Sequence, residues 1–374
     1  MNQSIFSPDE LSRYARHFSL DCIGFEGQQR LKNSAVCCVG AGGLGAPVLL
    51  YLAAAGVGKI GIVDFDHVEL SNLQRQVLFT VDDLNDSKVR ATQRRLKYLN
   101  PNIEVIAFEE KLQDSNVFSI FSEYDVIVDC SDNFPTRYLV NDACFHLKKP
   151  YIYASIFQFE GQCTVFCAPN GPCYRCLYES PLPAAMIPNC AEAGVLGVLP
   201  GLLGSIQAVE TIKILLSLNK PLIGRLLTVN ALSMEFREFK LARSQTCPLC
   251  QYQQPFNSLS RDTIKSCSLN TINEVSSHIL KQWIDKKEIT VLDVREHYET
   301  EICRLNSQHI PLNELSSRLN ELDQTKPIVV YCKAGPRSRK ACQLLQEAGI
   351  NDVAILKGGI LSWIDEIDST LIKY

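Results

Sequence analysis

The sequence predicts an α/β protein built from a larger doubly wound domain and a smaller α/β domain. Three observations carry this. An apolar run ends in a glycine loop and leads into a helical pattern; a later apolar run ends in a cluster of polar groups; and a polar stretch separates both from a second strand, loop and helix unit.

The first of these begins with Ser34 to Val39, an apolar run that leads into Gly40-Ala-Gly-Gly-Leu-Gly45. Helical spacing follows through Leu49, Leu52 and Ala53 and stops at Gly56 and Gly58. Ile60 to Val63 then reads as a second strand, ending at Asp64. Strand, glycine turn, helix and strand make up the nucleotide-binding half of a Rossmann-like domain. Asp125 to Val128 reads as a further buried strand whose carboxyl end carries Asp129-Cys-Ser-Asp-Asn133, where such folds collect ligands. After Cys250 the chain turns polar and rich in Ser and Gln, which marks a linker at 253–267 between a domain spanning 1–252 and one spanning 268–374. In the second domain Ile289 to Val294 and Ile328 to Tyr331 read as buried strands, the latter running into Cys332-Lys-Ala-Gly-Pro-Arg-Ser338 and a helical pattern.

Composition narrows the function classes. A chain of 374 residues, 46% apolar and 21% charged, buries ordinary cores. The net charge of −4 comes with no long Lys/Arg block, which argues against nucleic acid as a partner. The first residues, with Asp9, Glu10, Arg13 and Arg16, lack the pattern of a signal peptide, and the weakly charged stretch from Ala35 to Gly58 is broken by glycines and Pro47. A cytoplasmic protein with no membrane span is expected. Sixteen cysteines in such a setting point to metal binding and sulfur chemistry rather than to disulfides.

The glycines Gly40, Gly42, Gly43 and Gly45 allow close backbone approach to phosphates at a helix N-terminus, and Asp64 stands where an acid holds a ribose. These two features suit NAD and ATP alike. Ser71-Asn-Leu-Gln-Arg-Gln76, with Lys88 and Arg90, tips the balance. A hydride-transfer site does not need so many donors near the phosphates, whereas attack on the α-phosphate of ATP builds charge on the leaving pyrophosphate that Arg and Lys stabilise. Asn72, Arg75, Gln76 and Lys88 are therefore expected around ATP, and Asp132 is a carboxylate able to hold Mg²⁺.

Cys173-x-x-Cys176 and Cys247-x-x-Cys250 have the spacing of a closed tetrathiolate zinc site, which is structural because no coordination position stays open. Cys190 stands apart in Pro188-Asn-Cys-Ala-Glu-Ala-Gly-Val195, and reads either as a nucleophile or as a packed thiol. Cys332 begins a tight loop entering a helix, so backbone N–H groups and the helix dipole are expected to stabilise a thiolate or persulfide. Lys333, Gly335, Arg337 and Ser338 complete that loop, with Arg337 adding positive charge. A Cys-based phosphatase would need Cys-x5-Arg, but here Arg337 comes one place early and Ser338 fills the required position.

On these residues the chain resembles the MoeB/ThiF family, prokaryotic relatives of ubiquitin-activating enzymes, fused to a rhodanese domain. The resemblance also rests on Arg13-Tyr-Ala-Arg-His17, Gly161-Gln162 and Gly194-Val-Leu-Gly197 in the first domain. In the second it rests on Leu292-Asp-Val-Arg-Glu296, His309-Ile-Pro-Leu312 and Gly358-Gly359. Ile302-Cys-Arg-Leu-Asn-Ser307 departs from the pattern by lacking the Pro-Gly often found there.

The resemblance implies an adenylyltransferase and sulfurtransferase acting on a ubiquitin-like sulfur-carrier protein ending in Gly-Gly, with a cysteine desulfurase or another donor supplying sulfur. It places Asp64 on the ribose, Arg75 and Lys88 on the ATP phosphates and Asp132 on Mg²⁺. Arg16 would reach into the neighbouring subunit's site, which implies a homodimer. Cys190 falls where fused relatives carry a cysteine that reacts with the activated carrier. A NAD-dependent dehydrogenase and a non-catalytic docking module are the alternatives; the first lacks a hydride-transfer acid, and the second does not need the set Arg16, Arg75, Lys88 and Asp132.

Overall fold

The computed structural model describes residues 5–181, 194–256 and 272–374. The chain divides into two units, Met1–Lys265 and Ser266–Tyr374. Most of the expected linker, residues 257–267, lies outside the described residues. Its first residues pack on the first unit, where the Phe256 ring meets Phe118 edge-on with centroids 4.5 Å apart.

The first unit carries β1 (Ala35–Val39), β2 (Lys59–Val63), β3 (Glu104–Phe108), β4 (Val126–Asp129), β5 (Tyr151–Phe157), β6 (Glu160–Phe166), β7 (Arg225–Asn230) and β8 (Glu235–Lys240). They form one sheet in the order β3-β2-β1-β4-β5-β6-β7-β8. Neighbours from β3 to β5 run parallel, and those from β5 to β8 antiparallel. The chain leaves β1 in one direction and returns to β4 on the other side, so a topological switch point opens between the carboxyl ends of β1 and β4.

The strands at the centre are apolar without alternation because helices cover both faces. Val36, Cys37 and Cys38 of β1 are fully buried. The helix Gly45–Ala55 buries Leu49 and Leu52 and stops at Gly56, whose φ of 83° a side chain would resist. The helix Val198–Leu216 is long and apolar enough to cross a membrane by length and composition alone. Leu199, Leu203, Ala208 and Leu216 on it belong to the same core as β1 and β2, which accounts for its apolar character.

The second unit holds β9 (Asn273–Val275), β10 (Thr290–Asp293), β11 (Gln308–His309), β12 (Ile328–Tyr331) and β13 (Val353–Leu356). Their order is β11-β10-β12-β13-β9, with every pair parallel. β12 is buried along its whole length, and the chain passes from it through the Cys332 loop into the helix Pro336–Glu347.

Candidate functional site

At the switch point the glycines do distinct jobs. Gly40 takes φ +97°, and a Cβ there would stand 2.9 Å from the Cys130 carbonyl oxygen, so the loop lies directly on the end of β4. A Cβ on Gly45 would meet the Gly40 carbonyl oxygen at 2.2 Å, which keeps the first helical turn tight beneath the loop. Gly42 and Gly43 face the residues expected around phosphates: their Cβ positions lie 3.6 Å from Gln76 Nε2 and 3.5 Å from Arg75 Cγ.

Asp64, just beyond β2, closes the other side. It accepts the Ala41 N–H at 2.8 Å and the Asp66 N–H at 2.9 Å, tying the strand end to the glycine loop. Burial raises its carboxyl pKa, and the positive charge of Lys88 opposes the rise. Lys88 is buried at the first position of the helix Lys88–Leu99 and donates to Asp66 Oδ2 at 3.0 Å. Asn72 is buried and accepts the Glu69 N–H, while Arg75 donates to the Ser71 carbonyl at 3.0 Å. Gln76 is buried as well, yet among the described residues its Oε1 has no hydrogen-bond partner, and neither has Ser131 Oγ across the switch point. Buried polar atoms without partners cost free energy, so these two are open to a ligand or water.

Asp132 is exposed after β4, next to Asn133, whose side chain caps the helix Phe134–Leu147 by accepting the Thr136 N–H at 3.0 Å. The structure thus brings the glycine loop, Asp64, Arg75, Gln76 and Lys88 to one end of the sheet. Arg16 is exposed on the short helix Ala15–Phe18, and among the described residues it makes no hydrogen bond or ion pair there.

One residue that sequence reasoning passed over is Arg137. Its side chain is buried, its Nε lacks a hydrogen-bond partner among the described residues, and it donates through Nη2 to the Ser131 carbonyl at 3.3 Å. The guanidinium lies between the rings of Phe134 and Tyr153, 5.3 and 5.6 Å from their centroids. Burial works against its charge, but Tyr153, Tyr174 and Asp129 outweigh that and raise its pKa. Asp129 is itself buried, which raises its own pKa; it accepts from Tyr151 Oη at 2.7 Å and from the Ser131 N–H at 2.8 Å. Beyond Tyr153, Gln162 Nε2 donates to Ser155 Oγ and Tyr153 Oη, both at 2.9 Å. Ser155 and Gln162 line a cleft of about 470 Å³, together with Gly161, Thr228, Asn230 and Arg237.

The four paired cysteines converge. Cys173, Cys176, Cys247 and Cys250 have all their Sγ atoms within 4.8 Å of one another. Closest approaches are 3.5 Å for Cys173 to Cys247, 3.6 Å for Cys176 to Cys250 and 3.9 Å for Cys173 to Cys176. A tetrahedral ion with metal–sulfur bonds of about 2.3 Å would set its ligand sulfurs about 3.8 Å apart, so the cluster fits such an ion. Cys190 lies outside the described residues.

In the second unit Cys332 is fully buried, and its Sγ receives the Gly335 N–H at 3.1 Å. Ser338 Oγ stands 3.7 Å from that sulfur and donates to the Gly335 carbonyl at 2.8 Å. The loop turns at Gly335 with φ +123°. Arg337, expected to add positive charge to the loop, is paired with a carboxylate. Its two terminal nitrogens bind both carboxylate oxygens of the buried Glu299, at 2.5 and 2.8 Å, so the charge is balanced within the loop's own support. Lys333 Nζ lies over the Tyr374 ring, 4.6 Å from its centroid.

The fold and these sites define a doubly wound domain of the nucleotide-binding type, carrying a tetrathiol cluster, followed in the same chain by a small parallel-sheet domain that presents a cysteine in a helix-capping loop. The chain belongs to the ThiF family, whose model matches residues 14–249, and it also carries a rhodanese-like domain over residues 276–366. It is similar along nearly its whole length to the probable adenylyltransferase/sulfurtransferase MoeZ of Mycobacterium tuberculosis, at 41% identity over 99% of this chain and 97% of that protein. The adenylyltransferase and sulfurtransferase MOCS3 of Arabidopsis thaliana is 38% identical over 98% of this chain and 86% of its own length. The sulfur carrier protein adenylyltransferase of Thermus thermophilus is 50% identical over 66% of this chain and 92% of its own length. Among solved structures, E. coli MccB with ATP superposes with a TM-score of 0.55 at 25% identity, covering 64% of this chain and 74% of MccB.

Proposed function

We propose that the protein uses ATP to adenylate the C-terminal glycine of a ubiquitin-like sulfur-carrier protein and then converts the activated glycine to a thiocarboxylate with sulfur carried on Cys332. The observation that carries this reading is the pairing, in one chain, of a glycine loop flanked by Asp64, Arg75 and Lys88 with a second loop that cradles a cysteine sulfur. The names of relatives similar over nearly the whole chain support it.

In this reading ATP lies on Gly40 to Gly45 with its ribose toward Asp64 and its phosphates toward Arg75, Gln76 and Lys88. Asp132 would hold Mg²⁺, which screens the phosphate charge. The carrier's terminal carboxylate attacks the α-phosphate and pyrophosphate leaves, a step governed by position and electrostatics. Arg137 is well suited to receive the carrier's terminal carboxylate, because a buried guanidinium whose Nε has no partner among the described residues favours an incoming anion. Arg16 of a second subunit would complete the site in a homodimer. The four clustered cysteines would hold one structural Zn²⁺.

Sulfur arrives as a persulfide on Cys332, supplied by a cysteine desulfurase or another donor. Its terminal sulfur attacks the acyl carbon, AMP leaves, and an acyl disulfide joins carrier and enzyme. A second thiol, assigned to Cys190, attacks the Cys332 sulfur; the thiocarboxylate leaves with the electron pair, and an external thiol later reduces the Cys190–Cys332 disulfide. We place these events in the cytoplasm.

The test is Asp132→Ala. It should abolish carrier-dependent exchange of pyrophosphate into ATP while thiosulfate sulfurtransfer at Cys332 persists. Equal loss of both in a folded variant would sink the division of labour.

A further inference from the structure

Tyr374 touches the support of the sulfur-bearing loop at several points. Its hydroxyl accepts from Arg295 Nη1 at 2.7 Å and donates to Glu299 Oε1 at 2.9 Å. Glu299 in turn holds Arg337 through two hydrogen bonds. The face of the same ring seats Lys333, the residue after the sulfur carrier, at 4.6 Å. Both basic side chains of the loop are therefore fixed by one tyrosine, Lys333 directly and Arg337 through a shared carboxylate.

Packing alone accounts for an aromatic ring beside the Trp363 core. It does not account for the hydroxyl, which lies between a buried guanidinium and a buried carboxylate, since an apolar residue would fill the space without bridging them. Arg295 is already held by Asp293, through Nε at 2.9 Å and Nη2 at 2.6 Å, so the tyrosine is not needed to neutralise it. Glu299 also accepts the Glu296 N–H at 2.9 Å, so its carboxylate is held from three directions. Burial raises the carboxyl pKa, but the hydrogen bonds from Arg337, the Glu296 N–H and Tyr374, together with the Arg337 charge, outweigh burial and hold it below the usual range.

We propose that Tyr374 is a positioning residue for sulfur loading: it holds Lys333 and the Glu299–Arg337 pair in a fixed arrangement around the mouth of the Cys332 loop, where an anionic sulfur donor binds. The assignment rests on the reading of Cys332 as the sulfur carrier. Long cationic side chains that are already immobilised lose less rotamer freedom when an anion arrives. Tyr374 therefore acts on donor binding, and leaves the sulfur-transfer step itself to Cys332 and the loop N–H groups.

Thiosulfate is the probe. The Cys332 thiolate attacks its outer sulfur, the new S–S bond forms as sulfite leaves with the electron pair, and cyanide then removes the terminal sulfur as thiocyanate and restores the thiolate. In the full-length protein, Tyr374→Phe removes the bridge but keeps the ring under Lys333, and should raise the KM for thiosulfate about threefold. Tyr374→Leu removes both arms and should raise it about tenfold, with kcat changed less than about twofold in either variant. In a Lys333→Met background the leucine variant should cost no more than the phenylalanine variant, a coupling that a packing role would not produce. An unchanged KM in both variants, or a leucine effect of the same size with and without Lys333, overturns the assignment to Tyr374. Should Tyr374→Leu fail to fold, the KM of Tyr374→Phe decides alone. Absence of thiocyanate formation by the unaltered protein would instead overturn the reading of Cys332, and the tyrosine's role with it.

Discussion

Arg175, placed between Cys173 and Cys176, donates from Nε and Nη2 to the two carboxylate oxygens of the buried Asp142, at 2.8 and 2.9 Å. Asp142 belongs to the helix Phe134–Leu147, whose N-cap Asn133 directly follows Asp132. Next to Asp142, Asn141 accepts the Tyr174 N–H at 2.7 Å from inside the same cysteine pair. The cysteine cluster is thereby clamped to the element that leads away from the proposed Mg²⁺ carboxylate. Disorder in the cluster would expose a buried ion pair, and such pairs are costly to break one-sidedly.

From this clamp follows the first prediction. Metal analysis of the purified protein should find about one zinc per chain, and Cys247→Ser should yield mostly insoluble, metal-free chain. A soluble, metal-free variant with full adenylation activity would show the tetrathiolate assignment to be wrong.

Gly45→Ala should damage the nucleotide site while leaving the second unit intact. Its new Cβ would need room 2.2 Å from the Gly40 carbonyl oxygen, a backbone atom that cannot rotate aside. Either the loop or the first turn of the helix must move, with a stability loss of about 1–3 kcal/mol. ATP binding measured by calorimetry should weaken strongly, whereas thiocyanate formation should match the parent. Unaltered ATP affinity would refute the placement of the phosphates on this loop.

Glu299 makes a pH-dependent contribution whose sign is determined. Burial pushes its carboxyl up, but Arg337 and the Glu296 N–H more than offset this and hold it below its ordinary value of 4.5. A group with a depressed folded pKa adds stability that is fully present above the unfolded value and is lost as pH falls through the folded one. The melting temperature should therefore exceed that of Glu299→Gln by a constant margin from pH 7 to about pH 5, and the margin should shrink below about pH 4.5. A gap that stays the same down to pH 3 would remove the ion pair from the account.

Much of this was legible in the sequence because it is local. The glycine loop, Asp64 and the two Cys-x-x-Cys pairs each announce themselves within a few residues, and Ile328–Tyr331 is the strand its apolar run indicates. Arg137 was not legible, because it follows Asp132 as an ordinary charge in a helical first turn. Its burial comes from β5, which brings Tyr153 against it, and from Phe134 one turn earlier. β8 escaped for the opposite reason: Glu235-Phe-Arg-Glu-Phe-Lys240 is exposed throughout and lacks the strict alternation of a strand with one buried face, yet it pairs along its whole length with β7. The engagement of Arg337 by Glu299 likewise joins residues 38 positions apart, beyond the reach of any local pattern.

Cys190 carries the prediction that most directly tests the sulfur chemistry. The acyl disulfide on Cys332 cannot release a thiocarboxylate by hydrolysis without losing the sulfur, so a second thiolate must attack the Cys332 sulfur. A serine hydroxyl is far too weakly acidic to take that part at neutral pH. Cys190→Ser should therefore exchange pyrophosphate at the parental rate and accept sulfur from thiosulfate, but stall with the carrier bound to Cys332 through a bond that reductant cleaves. Mass spectrometry of the intact protein, in a reaction without added thiol, should detect this adduct, and dithiothreitol should release the carrier as thiocarboxylate. A normal thiocarboxylate yield from the serine variant under those conditions would mean that some other thiol resolves the intermediate, and would return Cys190 to the role of a packed side chain.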